Sequence, residues 1–149
     1  MSTRSATIIK QTTYWGDEPE TTELMRFYRH CDGYPEGHGL EMAHAIKNLS
    51  REGGRRDHWV AGFLKWFLNS NPYAQHIEFE DKNCQHGDLE YLYLIDGVVD
   101  HRWGIAGEDA EPPITIGVYE IGFDESYSDA LGREPLFKGT AYDYIKRFE

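Results

Sequence analysis

Cysteine is scarce in this sequence, with Cys31 and Cys84 as the only two among 149 residues. The two do not form a Cys-x-x-Cys pair, which argues against a structural zinc site. The first five residues contain no apolar signal segment and lead directly into a β-branched stretch. Two thiols without a secretion signal are typical of free cysteines in a reducing compartment, so we predict a cytoplasmic location.

Long apolar runs and familiar catalytic signatures are absent as well. No run approaches the roughly 20 residues that cross a bilayer, so we predict no membrane contact. The chain has no Walker-type phosphate loop, no G-x-G-x-x-G after a strand, no G-x-S-x-G and no H-E-x-x-H. These absences argue against the corresponding nucleotide-binding and hydrolase classes, and we predict no resident cofactor.

Positive charge is in short supply in the second half of the chain. The sequence has 15 Lys and Arg against 26 Asp and Glu, a net charge of −11. Residues 76–149 carry the whole excess, and such a surface repels nucleic acid, so we predict no direct nucleic-acid binding. It is either a solvated face that keeps the protein soluble or an acidic face that competes for a basic groove on a host protein. For the second case, the candidate partner contacts are Glu108, Asp109 and Glu111.

Aromatic residues are abundant, with 4 Trp, 10 Tyr and 7 Phe, and they supply material for a core. We predict one globular domain over residues 1–149. The β-branched residues 5–12, a polar turn and residues 23–28 predict an N-terminal hairpin. Apolar spacing predicts a helix over residues 40–49 and a second one that begins at an Asp57 cap and ends at Asn71.

The second half is predicted to be mostly β. Strand-like segments occupy residues 75–80, 89–95, 102–105 and 114–121, and Asp96-Gly97 is a strong turn signal after the second of them. Thr140 and Asp143 have the spacing of a capping box and predict a short C-terminal helix. The predicted fold class is α+β, an antiparallel sheet with two central helices and a short C-terminal helix.

Chemically active residues are densest in the block YRHCDGYPEGHG at residues 28–39, which joins a predicted strand to a predicted helix. Such a junction can direct several polar groups at one point while the flanking elements hold it still. We predict that the block binds a small anionic ligand. The predicted ligand-binding residues are Tyr28, Arg29, His30, Asp32, Tyr34, Glu36 and His38.

Two His-x-Asp pairs are the catalytic candidates, His30 with Asp32 and His86 with Asp88. If the pairs meet, their imidazoles and carboxylates can act as general acid and base or as weak metal ligands. Asp32-Gly33 and Gly87-Asp88 equally fit ordinary turns, in which the glycine takes a positive φ. The sequence leaves both interpretations open.

Three segments resemble small, uncharacterised phage and prophage proteins: the opening Ser-Thr-Arg, the block at residues 28–37, and Gly-Asp-Leu-Glu-Tyr at residues 87–91. Those proteins carry a His-x-Asp-Gly-Tyr-Pro loop, in which Trp is frequent where this chain has Cys31. The resemblance covers about the first two thirds of the chain. It implies a phage or mobile-element setting and supplies no activity.

We therefore predict a phage or mobile-element accessory protein that acts by binding. It would inhibit a host protein, including a component of a defence system, or sequester a small anionic ligand. The alternative is a small hydrolase or transferase with a His/Asp site, with or without a metal.

Overall fold

The computed structural model describes residues 3–49, 59–70, 77–81, 86–100 and 114–149. The strands are β1 (Ser5–Tyr14), β2 (Pro19–Arg29), β3 (Ile77–Phe79), β4 (Tyr91–Asp100), β5 (Ile114–Glu120) and β6 (Phe137–Gly139). The helices are α1 (Leu40–Leu49), α2 (Trp59–Ser70), α3 (Tyr127–Leu131) and α4 (Ala141–Phe148). The predicted α+β class is confirmed.

The described strands form one sheet in the order β3-β2-β1-β4-β5-β6. Neighbouring strands are antiparallel, as predicted, except β1 and β4, which run parallel with Ser5 opposite Tyr91. A short link such as residues 15–18 forces β2 to return antiparallel to β1. The chain reaches β4 only after two helices and β3, a connection long enough for parallel entry.

The two faces of the sheet are covered differently. The helix-covered face packs against α1, α2 and α4, and the strands contribute residues such as Ile9, Phe27 and Tyr93 to its core. The opposite face contains Ile8, Tyr28 and α3 in a smaller apolar cluster. Because side chains alternate along a strand, Ile8 and Ile9 serve different cores although they are adjacent.

The predicted turn at Asp96-Gly97 is wrong, since β4 runs straight through it. The glycine is there because the Trp59 indole of α2 lies against the strand, where a Cβ on Gly97 would come within 2.4 Å of Trp59 Cε2. Trp59 also donates from Nε1 to Gln11 Oε1 at 3.1 Å. The glycine therefore serves close helix–sheet packing rather than a turn.

Helix ends follow their local sequence. Thr140 caps α4 by accepting from the Asp143 backbone N–H at 3.2 Å, as the capping pattern predicts. The predicted helix over residues 40–49 is confirmed as α1, and one turn of π-helix, Pro35–Gly39, precedes it. The predicted ends of the second helix at Asp57 and Asn71 and the strand at residues 102–105 lie outside the described residues. None of the described helices is long and apolar enough to cross a membrane.

Candidate functional site

The sheet divides the predicted ligand-binding block between its two faces. Arg29 points to the helix-covered face and is 1% exposed, whereas Tyr28 packs in the core of the opposite face. His30, two residues after Tyr28, forms a hydrogen bond with the Tyr28 hydroxyl. The alternation of strand β2 thus separates neighbouring residues that the sequence placed in one pocket.

Arg29 and His38 form a buried polar network under the helices. Arg29 Nη1 donates to His38 Nδ1 at 3.1 Å and forms an ion pair with Glu41, while its Nε donates to the Cys31 carbonyl at 2.7 Å. His38 Nε2 lies 2.9 Å from Thr7 Oγ1. Burial, and then the Arg29 charge, lowers the pKa of His38 well below its usual value, so the ring stays neutral.

Two buried tyrosines fix the loop that carries these residues. Tyr93 donates its hydroxyl to the Gly33 carbonyl at 2.7 Å, and Tyr144 donates to the Pro35 carbonyl at 2.8 Å. Burial raises the pKa of both phenols, which therefore stay protonated as donors. These two hydrogen bonds to backbone carbonyls fix residues 33–35 of the block as part of the folded structure.

The turn at Asp32-Gly33 differs from the usual pattern. Asp32 itself takes the left-handed conformation, with φ 58°, and its carbonyl accepts from His38 N at 2.9 Å. Gly33 is required for close approach, because a Cβ there would lie 2.7 Å from Ser5 Oγ. Tyr34 and Glu36 are exposed on the loop surface. The structure therefore does not gather the predicted ligand-binding residues around one pocket.

The two candidate histidines both contact Tyr28. The Tyr28 hydroxyl is 2.9 Å from His30 Nδ1, and the Tyr28 ring stacks on the His86 imidazole with centroids 3.8 Å apart. The candidate aspartates do not join them as partners. Asp32 lies in its turn, and Asp88 pairs with Arg4 at 3.3 Å.

The carboxylate at this site is Glu80, which the sequence reasoning missed. Its Oε2 lies 2.7 Å from His86 Nδ1, and its side chain is 1% exposed, whereas the His86 side chain is 31% exposed. Tyr127 of α3 donates its hydroxyl to Oε1 at 2.6 Å. The buried carboxylate is thus satisfied on both oxygens, as a buried charge must be.

Tyr127 holds both members of the Glu80–His86 pair. Its hydroxyl also accepts from the His86 backbone N–H, and the Arg26 guanidinium lies 5.3 Å from its ring centroid. Burial and the hydrogen bond to Glu80 raise the pKa of Tyr127 far above its ordinary value. The phenol therefore donates permanently and cannot take the proton of His86.

The segment that carries His86 is held at its far end as well. The Gly87 carbonyl accepts from Asp124 N at 2.8 Å, and Glu90 N donates to the Arg4 carbonyl at 3.0 Å. Tyr28, on β2, packs against the ring from the sheet side. Backbone and ring contacts from three parts of the chain consequently fix the imidazole of His86.

This arrangement assigns the His86 tautomer. An ionised carboxylate can only accept hydrogen bonds, and the other Glu80 oxygen already accepts one from the Tyr127 hydroxyl. Nδ1 of His86 therefore carries the proton of the His86–Glu80 hydrogen bond. The lone pair then lies on Nε2, for which no hydrogen bond is found among the described residues. A neutral imidazole with this orientation is a proton acceptor, a nucleophile or a metal ligand.

Metal binding gains no support from the described side chains, which contain no group of three or more His, Cys, Asp or Glu positioned to hold an ion. Of the cysteines, Cys31 is a half-buried free thiol, and Cys84 lies outside the described residues. The acidic contacts predicted at Glu108, Asp109 and Glu111 lie outside them as well.

No protein-family model, curated protein or solved structure matches this chain. What the site can do therefore follows from its own chemistry.

A sequence signal for the missed residues existed in part. Glu78 and Glu80 are two residues apart in the predicted strand at residues 75–80, so the alternation of side chains places both on one face. Nothing local distinguishes the buried Glu80 from the exposed Glu78. Tyr127 follows Ser126, the N-cap of α3, and gave no separate indication of a partner.

Proposed function

We propose that the protein is a small hydrolase or transferase that uses His86 as its general base. The observation that carries this proposal is the buried Glu80 carboxylate, 2.7 Å from Nδ1 of a partly exposed histidine. A hydrogen-bond acceptor held against Nδ1 of a neutral histidine keeps the ring proton on that nitrogen. The other nitrogen, Nε2, is then free to accept a proton. Such a pair is the base-and-orienter half of an acid–base site.

The chemistry balances with a water or hydroxyl as the nucleophile. His86 Nε2 takes the proton from that oxygen, whose electron pair forms a bond to a carbonyl carbon or a phosphorus. The Glu80 carboxylate stabilises the imidazolium that results. The imidazolium then returns its proton to the leaving oxygen or nitrogen as the bond to the leaving group breaks.

Tyr28 and His30 complete the proposed site. Burial, and then the charge of Asp88, raises the pKa of Tyr28, so its hydroxyl remains protonated. The Tyr28 ring packs against one face of the His86 imidazole, and the Tyr28 hydroxyl forms a hydrogen bond with the exposed His30. His30, which was among the sequence candidates, is thus linked to His86 through Tyr28.

A second histidine–carboxylate pair provides an internal comparison. His44 Nε2 lies 3.2 Å from Glu149 Oε2, but the side chains of both residues are largely exposed, at 47% and 63%. Water competes for an exposed carboxylate and screens its charge, so this pair orients its imidazole weakly. His44→Gln is therefore a matched control for His86→Gln.

The test is turnover of p-nitrophenyl acetate and bis(p-nitrophenyl) phosphate, which probe acyl and phosphoryl transfer. We expect wild-type protein to exceed equimolar imidazole on one of them. His86→Gln and Glu80→Gln should lower that rate by about 10²-fold or more, the usual contribution of a general base. His44→Gln should keep the wild-type rate.

The proposal fails if wild type matches imidazole on both substrates, or if folded His86→Gln retains the wild-type rate. Circular dichroism separates loss of activity from loss of fold. Glu80→Gln keeps the volume of the side chain and one of its two acceptor oxygens, so it is the variant least exposed to that ambiguity.

A second candidate function is the binding role that the phage-protein resemblance implies, exerted in the host cytoplasm. The net charge of −11 favours it, because an acidic protein can occupy a basic groove of a host protein. Reversing Glu108, Asp109 and Glu111 to Lys should weaken capture of such a partner. Unchanged capture by the triple variant would rule out that contact surface.

A further inference from the structure

An exposed carboxylate lies beside the proposed general base, on the strand next to Tyr28. Glu78 of β3 is opposite Tyr28 of β2 in the antiparallel register, so the two side chains are neighbours on one face of the sheet. The Tyr28 ring in turn stacks on the His86 imidazole with centroids 3.8 Å apart. Glu78 is exposed, and no ion pair is found for its carboxylate among the described residues. The proposed active site therefore has an unneutralised negative charge at its border.

The charged groups next to His86 do not offset this carboxylate. Glu80, which bonds His86 Nδ1, follows Glu78 by two residues and lies on the same face of the sheet. Arg4 and Asp88 are an ion pair at 3.3 Å, so their opposite charges largely cancel. The sum of these described charges is negative.

The cation on the far side of Tyr127 is paired as well. The Arg26 guanidinium lies 5.3 Å from the Tyr127 ring centroid, and its Nε donates to Glu23 Oε1 at 2.7 Å. The Arg26 side chain is only 16% exposed. Its positive charge is thus offset by a carboxylate of its own.

The titration of Tyr28 supports the closeness of these charges to the stack. Burial raises the pKa of Tyr28 most, the charge of Asp88 raises it next, and the charge of Glu78 raises it further, whereas Arg4 lowers it. Glu78 therefore acts electrostatically on a ring that contacts the His86 imidazole.

We propose that the substrate of the His86 site is an ester or amide that carries an ammonium or guanidinium group near the bond to be cleaved, and that Glu78 selects for this positive charge. The inference rests on the proposed general-base function of His86. A negative surface concentrates cations and repels anions, so a phosphodiester, which is itself an anion, is disfavoured. Acyl transfer is then the reaction of this site.

The acyl reaction needs no group beyond water and the substrate. His86 Nε2 takes a proton from the water, and the water oxygen forms a bond to the acyl carbon. The bond from that carbon to the alcohol oxygen or amine nitrogen then breaks, and the leaving atom receives the proton from the imidazolium. Glu78 takes no proton in these steps, since its part is the attraction of the substrate cation.

Three p-nitrophenyl esters with acyl chains of equal length test the charge preference in low salt. The hexanoate is neutral, the 6-aminohexanoate carries an ammonium, and the adipate monoester carries a carboxylate. The assay is run at about pH 8, above the ordinary pKa of an imidazole and below that of an alkylamine. Each rate is divided by the rate with equimolar imidazole, which removes differences in intrinsic reactivity.

We expect kcat/KM for the cationic ester to exceed that for the anionic ester by about fivefold or more, the size of effect that exposed charges supply. Because the interaction is exposed, about 0.5 M salt should bring the ratio close to one. Glu78→Gln keeps the shape of the side chain and removes its charge, so it should lower the ratio by about twofold or more.

Glu20→Gln is the matched control, because it removes the same charge at a distant exposed position. Glu20 lies on β2 eight residues before Tyr28, roughly 26 Å along the strand. This variant should keep the wild-type ratio of cationic to anionic turnover. A ratio that falls equally in Glu20→Gln and Glu78→Gln would assign the preference to the net charge of the protein and overturn the role of Glu78.

The failure of this inference can be distinguished from the failure of the general base. Equal or higher turnover of the anionic ester, at a rate that His86→Gln abolishes, would overturn the charge preference and leave the general base in place. Rates that match imidazole on all three esters would instead overturn the general base. NMR titration with hexylammonium and with hexanoate then decides the preference without turnover. Larger shift changes of the His86 ring with hexylammonium support it, and equal or larger ones with hexanoate overturn it.

Discussion

The Tyr28 ring lies face to face with the His86 imidazole, with centroids 3.8 Å apart and the two planes 3° from parallel. This stack joins β2 to a segment nearly sixty residues later in the chain. It also determines which way the imidazole faces, because Glu80 holds Nδ1 while Tyr28 covers one side of the ring. The proposed acid–base site depends on both contacts.

Replacing Tyr28 tests the stack separately from the hydroxyl. Tyr28→Phe keeps the ring and loses the hydroxyl that bonds His30, so we expect turnover within about tenfold of wild type. Tyr28→Ala removes a buried ring and should cost about 3–5 kcal/mol of unfolding free energy together with most of the turnover. Urea unfolding and ester hydrolysis measure the two effects. Equal turnover by the two variants would show that the stack does not orient His86.

The ion pair of the fully buried Arg29 with the partly exposed Glu41 should matter more to stability than a pair whose arginine is exposed. Arg29→Met removes the guanidinium that bonds Glu41 and the buried His38, and we expect a loss of about 3–5 kcal/mol in urea unfolding. Arg133→Met breaks the exposed pair with Glu125 and should cost no more than about 1 kcal/mol. Similar losses for the two variants would contradict the assignment of Arg29 as a buried structural residue.

His38 gives stability a definite pH dependence. The pKa of His38 is lowered in the folded state from its ordinary value of 6.5. Below that pH the unfolded chain therefore binds a proton at His38 that the folded chain does not bind. Stability therefore falls with decreasing pH, by up to about 1.4 kcal/mol per pH unit from this group. His38→Gln should flatten the slope of unfolding free energy between about pH 6.5 and 5. An unchanged slope in that variant would contradict a neutral, buried His38.

Gly97 should tolerate no side chain. Gly97→Ala places a Cβ against the Trp59 indole and should cost about 1–3 kcal/mol in urea unfolding, as overpacking usually does. Gly122→Ala is the control, because its nearest contact would be 3.9 Å from the new Cβ, and we expect a change within about 0.5 kcal/mol. If Gly97→Ala is as stable as Gly122→Ala, the helix does not press on β4 as described.

The elements that the sequence predicted correctly depend on short-range patterns. Apolar spacing defines α1, and Thr140 with its bond to Asp143 N defines the start of α4. The failure at Asp96-Gly97 has a long-range cause. The dipeptide favours a turn by itself, but Trp59, almost forty residues earlier in the chain, makes glycine necessary in a straight strand.

The candidate site shows the same contrast between residues that a short-range pattern identifies and residues whose role depends on distant contacts. His30 and His86 are candidates because their residue type is chemically active, and both contact Tyr28. Glu80 becomes important only through two partners, His86 and Tyr127, and the second of these comes from a distant helix. A sequence pattern identifies a residue's type and face, whereas burial of a charge depends on which distant groups surround it.

The most direct test of the account is the tautomer of His86, observed in long-range ¹H–¹⁵N NMR spectra of wild type and Glu80→Gln near neutral pH. We predict that neutral His86 carries its proton on Nδ1 in the wild type, with the lone pair on Nε2, and that Glu80→Gln weakens this preference. A wild-type ring protonated on Nε2 would contradict the account, because that nitrogen could not then act as the general base.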